Sequence, residues 1–100
     1  MSTLYITEFV NSNAHTKDSP STGRWPPIAK QTVAIGGGST ASNPFSSNTN
    51  MVRVEVDATC SILIDFGSPV ATTVDARMCA NQTEYFTVFP NQVLAVIANS

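Results

Sequence analysis

The chain predicts an all-β fold: a single small antiparallel β-sandwich or jelly-roll-like barrel with a long N-terminal arm or loop. Three observations carry that expectation. Every even-numbered residue from 52 to 66 is apolar (Val52, Val54, Val56, Ala58, Cys60, Ile62, Ile64, Phe66), and of the odd positions between them only Leu63 is not polar. A period of two puts one face of a strand in a core and the other in water. Further short apolar runs, several rich in β-branched residues, are separated by turn-forming Gly, Pro and Asn. No stretch carries helical periodicity and there are no internal repeats. One hundred residues, 1–100, make one domain whose core is modest, burying about two-thirds of the unfolded surface.

Each element follows from the same reasoning. Residues 3–10 read as a first strand, with Leu4, Ile6 and Val10 on one side and Tyr5 and Phe9 on the other, so that both faces are candidates for cover. Residues 11–30 are polar, contain Pro20, Gly23, Pro26 and Pro27, and read as an arm or long surface loop. Residues 31–35 form a second strand. Residues 36–50 are a flexible loop by composition, and Phe45 is the one large apolar residue available to pin it. The alternating run of residues 52–66 is too long for one ordinary strand and implies two strands and a corner near residues 57–59. A three-residue hairpin loop would pair Val56 with Cys60, Val54 with Ile62 and Val52 with Ile64 in one antiparallel pair. The alternative is one strand bent at a bulge and passing from one sheet to the other. Residues 67–69 turn the chain, residues 74–80 make a short strand, and residues 81–82 turn it into a strand over 83–89. Residues 90–91 turn again. Residues 92–98 are nearly all apolar and predict a strand covered on both faces.

Charged residues are 12% of the chain, about half the usual ~25%. The net charge is −2, and Lys17, Arg24, Lys30, Arg53 and Arg77 form no basic stripe, which argues against nucleic acid as a partner. A low-charge surface rich in Ser, Thr and Asn over a small core suits a chain partly covered by partners. The N-terminus has no basic region followed by an apolar stretch, and the longest apolar run, residues 93–98, is far short of the ~20 residues that cross a bilayer. No membrane partner is expected, and the product is expected to be made and used without secretion. Asn81-Gln82-Thr83 then reads as a turn rather than a glycosylation site. Cys60 and Cys79 are expected to be free thiols.

No constellation of catalytic residues is visible. Gly36-Gly37-Gly38-Ser39-Thr40 lacks the Lys, the spacing and the following helix of a phosphate-binding loop. His15 is the only histidine, and nothing places it beside a nucleophile and an acid. One His and two separated Cys offer no metal site, and no cofactor is expected. Asp57, Asp65, Asp75 and Glu84 could supply a carboxylate pair for glycoside hydrolysis, but their positions suit solvated faces and turns. The expectation is a protein that is not an enzyme. Arg24-Trp25-Pro26-Pro27 supplies the most distinctive side chains of the arm. Trp25 either anchors the chain on a neighbour, together with Arg24 and Ile28, or folds back onto its own core. With Phe45 these make the candidate interface set.

Two stretches carry a resemblance: Met51-Val52-Arg53-Val54-Glu55-Val56-Asp57-Ala58-Thr59-Cys60-Ser61-Ile62 and Arg77-Met78-Cys79-Ala80-Asn81-Gln82-Thr83-Glu84-Tyr85-Phe86. Both resemble a pattern in small structural proteins of tailed bacteriophages, as do the opening Met-Ser-Thr-Leu-Tyr-Ile-Thr-Glu-Phe and the closing Val96-Ile97-Ala98-Asn99. The likeness covers most of the chain except residues 11–30, and its motifs largely encode strands and turns. It implies a virion component made in the host cytoplasm, a capsid decoration or cement protein on the head shell. Its partners would be the major capsid protein or other virion proteins, and it would form a homo-oligomer, with a trimer favoured. Rival readings are a neck or tail adaptor or stabilising ring, and a carbohydrate-binding β-sandwich for host attachment, although Trp25, Tyr5 and Tyr85 are scattered in sequence.

Overall fold

The computed structural model describes residues 2–10 and 27–99. It is a β-sandwich of two antiparallel four-stranded sheets without a helix among the described residues. The strands are β1 (Ser2–Phe9), β2 (Ala29–Ile35), β3 (Thr40–Ala41), β4 (Met51–Val56), β5 (Cys60–Asp65), β6 (Ala76–Met78), β7 (Thr83–Thr87) and β8 (Val93–Ala98). The first sheet has the order β2-β1-β4-β7 and the second β3-β8-β5-β6. The chain changes sheet from β2 to β3, β3 to β4, β4 to β5, β6 to β7 and β7 to β8. That wrapped path is jelly-roll-like rather than a stack of hairpins.

The long alternating run is the corner of this wrapping. β4 lies between β1 and β7 in the first sheet, and β5 lies between β8 and β6 in the second. The hairpin pairing of Val56 with Cys60, Val54 with Ile62 and Val52 with Ile64 is therefore wrong, and the bent-strand alternative holds. Asp57 still belongs to the first sheet: its N–H donates to the Thr3 carbonyl at 3.2 Å, and its Oδ1 accepts from the Thr3 N–H at 2.7 Å. Thr59 already belongs to the second, where its carbonyl accepts from the Asn99 N–H at 3.1 Å. The chain bends at Asp57 and Ala58 between them. Even positions stay inward across it because the two sheets face one core, so parity cannot tell a hairpin from a corner.

That core holds Leu4 and Ile6 of β1, Val33 and Ile35 of β2, and Val52, Val54 and Val56 of β4. Across from them lie Cys60, Ile62, Met78, Leu94 and Val96 of the second sheet. Ile64 is half-buried and packs against the same cluster. β8 is covered on both sides as its composition predicts, with Val93, Leu94, Ala95 and Val96 all buried. The outer cover comes from the β5–β6 connection. Ala71 is buried there and its N–H donates to Ser39 Oγ, while Asn99 Nδ2 donates to both Ser61 Oγ and the Thr73 carbonyl.

Other expectations need adjusting at their edges. The polar stretch of residues 11–30 overlaps β2, which begins at Ala29, and the Ile28 N–H already donates to the Glu8 carbonyl at 2.7 Å. The rest of that stretch, residues 11–26, on which the arm or loop expectation falls, lies outside the described residues. The strand expected at residues 74–80 is confined to Ala76–Met78, and that at 83–89 to Thr83–Thr87. Turns fall where expected, with Gly67, Asn81 and Asn91 in the left-handed backbone region that Gly and Asn tolerate.

Candidate interaction surface

Strand alternation sends Tyr5 and Thr7 of β1, Lys30 and Thr32 of β2, Arg53 and Glu55 of β4 and Tyr85 of β7 to the outer side of the first sheet. The register sets them in two rows: Lys30, Thr7, Arg53 and Tyr85 lie side by side, and Thr32, Tyr5, Glu55 and Thr83 form the next row. Tyr5 and Tyr85, eighty residues apart in the chain, thus share one face two strands apart, about 10 Å in the hydrogen-bonding direction. They are 47% and 55% exposed. Arg53 Nη1 bonds Glu55 Oε1 at 3.5 Å between them. Tyr5, Thr7, Lys30, Gln31 and Thr32 also border an open depression of about 360 Å³.

A second apolar feature lies at the end of β7. Phe66, just after β5, and Phe89, just after β7, stack with ring centroids 6.2 Å apart and planes at 23°. Both rings are more than half exposed, at 56% and 67%. Exposed aromatics held against one another mark an interaction site more often than a solitary exposed ring does.

The expected interface residues separate. Arg24 and Trp25 lie outside the described residues. Ile28 is exposed just before β2. Phe45 is corrected: only 1% exposed, its ring sits in the chain's own core and has no surface to offer a neighbour. It does pin its loop. The Phe45 N–H donates to the Gln92 carbonyl at 2.9 Å, and its carbonyl accepts from the Asn91 N–H at 3.2 Å.

Sequence reasoning missed Glu8. It has inward parity and is only 2% exposed. Its Oε1 accepts from the Ser46 N–H and from Thr49 Oγ1, both at 2.8 Å, and its Oε2 accepts from Gln31 Nε2 at 3.2 Å. Thr49 is fully buried. The carboxylate is satisfied by hydrogen-bond donors and ties residues 46–49 to β1 and β2. The available signal was a charged residue at the parity of Leu4 and Ile6 inside an otherwise apolar face.

The four carboxylates considered for hydrolysis are not brought together. Asp57 caps Thr3, Asp65 accepts from the Phe66 N–H, Asp75 accepts from the N–H and hydroxyl of Thr72, and Glu84 accepts from Gln82 Nε2. The triple glycine leads into β3, not a helix. Among the described residues no three His, Cys, Asp or Glu side chains group to hold a metal. Both thiols are free, Cys60 buried and Cys79 exposed. Cys60 pairs in register with Met78, which is also buried, so its neighbour Cys79 points to the opposite face. Burial, helped by the nearby negative charge of Asp57, pushes the Cys60 thiol up to about 11, leaving it protonated at neutral pH.

What the arrangement offers is contact chemistry: two outward tyrosines, a cation–carboxylate pair and a stacked pair of phenylalanines on a rigid sandwich. No protein-family model, curated protein or solved structure matches the chain.

Proposed function

We propose that the chain is a non-enzymatic structural protein of a virion that decorates and stabilises the capsid shell of a tailed phage. The resemblance of residues 51–62 and 77–86 to small phage structural proteins motivates this reading. The observation that carries it furthest is the surface: Tyr5, Tyr85, Phe66 and Phe89 stand exposed on a sandwich with few charges. Tyrosine and phenylalanine are enriched, and charges depleted, at the centres of protein interfaces. The major capsid protein is the proposed partner, with Arg24, Trp25 and Ile28 as further anchors. Co-sedimentation with purified heads and tails tests it. Binding to heads that weakens in Trp25→Ala, with thermal unfolding unchanged, supports the reading. Binding to tails alone moves the protein to the neck or tail, and a Trp25→Ala variant that melts early yet binds normally makes Trp25 a core residue.

One observation favours the carbohydrate reading as the second choice. Tyr5 and Tyr85 share a face beside Arg53, Glu55, Lys30 and Thr32, which combines aromatic and polar groups as a sugar site requires. A glycan array with Tyr5→Ala as control separates it from capsid binding.

A further inference from the structure

The two edges of the first sheet are finished differently. β2 is stitched to its surroundings: the Gly36 carbonyl accepts from the Ala98 N–H at 2.8 Å, and the Gln31 amide bonds the Asn43 N–H at 2.9 Å and the Asn43 carbonyl at 3.2 Å. At the other edge β7 pairs, among the described residues, only with β4. The direction of its free backbone groups can be read from the ladder. The Val56 N–H donates to the Gln82 carbonyl and the Val88 N–H to the Asn50 carbonyl, at the two ends of the β4–β7 register. Bonded pairs recur every second residue in an antiparallel ladder. Glu84 and Phe86 therefore direct their amide and carbonyl groups at β4, and Thr83, Tyr85 and Thr87 direct theirs away from the sheet.

This edge is lightly protected: its one bulge, Asn81 and Gln82 opposite Val56, lies before the strand, and its one charge is Glu84. The strand Thr83-Glu84-Tyr85-Phe86-Thr87 has no Pro, no Lys and no bulge, and its residues suit strands. It is also self-complementary. Placed antiparallel against a copy of itself and centred on Tyr85, it sets Thr83 opposite the partner's Thr87 and Tyr85 opposite the partner's Tyr85. Glu84 then faces the partner's Phe86, so no like charges meet. The hydrogen-bonding phase is correct, because the opposed residues are the ones whose backbone groups point outward. Phe89, two residues beyond Thr87, and its stacked neighbour Phe66 lie at the end of this edge, beside where a second copy would sit.

We propose that β7 is a self-association edge, through which a second copy of this chain pairs antiparallel about Tyr85 to join two first sheets into one eight-stranded sheet. The interface is independent of the capsid reading and holds whether or not the protein binds heads.

Analytical ultracentrifugation of the whole chain up to about 1 mM tests it. The expected result is a concentration-dependent dimer. Tyr85→Pro removes one outward N–H from each copy without touching the β4 ladder, a position where an edge strand accepts Pro. It should weaken dimerisation about 10- to 100-fold with the far-ultraviolet circular dichroism of the monomer preserved. Tyr85→Lys, which opposes two cations at the two-fold, is the second variant in case the proline unfolds the strand. Tyr85→Cys in a Cys79→Ser background tests the register. Opposed bonded residues sit ~5.5 Å apart at Cα, within disulfide reach, so mild oxidation should give a covalent dimer, whereas Ser68→Cys in the same background should not. A chain that stays monomeric throughout, a trimer indifferent to both Tyr85→Pro and Tyr85→Lys, or equal cross-linking at positions 85 and 68 overturns the proposal.

Discussion

The two sides of the sandwich are built from the same kind of strand and end in opposite ways. On the β2–β3 side the sheets are tied together by Glu8, by the Gln31 amide and by the bond from Ala98 to Gly36, with Phe45 packed inside. On the β7–β5 side, among the described residues, β6 pairs only with Cys60–Ile62 and no strand pairs with the outer edge of β7, while the aromatic stack of Phe66 and Phe89 is largely exposed. Stability is concentrated where buried polar groups are all satisfied, and contact potential where backbone groups and rings are left open. Apolar residues of both sides meet in the one core, and on the β7–β5 side Phe66 and Phe89 are left outside it.

Perturbing each side should separate the two roles. The largest loss is expected from Phe45→Ala on the closed side, about 3–5 kcal/mol, because the ring fills the core and its loop cannot collapse around the void. Chemical denaturation would measure it, and a loss below about 1 kcal/mol would mean the loop is held by its hydrogen bonds alone. Glu8→Ala comes next. It strands the Ser46 N–H and the Thr49 hydroxyl, the latter fully buried, at a cost of about 3 kcal/mol, while Glu8→Gln retains an acceptor oxygen and should lose about 1 kcal/mol. Equal losses for the two would show that the charge, not the geometry, does the tying.

Cys60, in β5, gives a smaller and pH-dependent effect. Its thiol ionises near its ordinary 9.0 in the unfolded chain and near about 11 in the fold. Stability from this group is whole below pH 9 and is lost as pH rises from 9 through 11, by about 3 kcal/mol in all. Cys60→Ala should flatten that alkaline slope, and a slope unchanged by the substitution would assign it elsewhere. The smallest effect is expected on the open side. Phe89→Ser removes a ring already two-thirds exposed and should change monomer stability by less than about 1 kcal/mol while reducing self-association. A large drop in melting temperature would instead make the Phe66–Phe89 stack a structural clamp.

Local features of this protein were legible in the sequence because they depend on neighbours two residues apart. The alternation of residues 52–66, the doubly covered strand at the C-terminal end and the turns at Gly67, Asn81 and Asn91 all follow from strand geometry and backbone sterics. So did the all-β class and the exposure of a low-charge surface. Tertiary structure alone decided which strands are neighbours. It split one alternating run between two sheets, turned Phe45 inward, buried Glu8 among donors from residues 31, 46 and 49, and put Tyr5 and Tyr85 on one face, two strands apart. A period of two states which side of a strand is apolar, but it is the same for a hairpin and for a corner, and it carries no label for the partner strand. That choice is made by contacts between residues far apart in the chain, where the fit of whole faces outweighs any local preference.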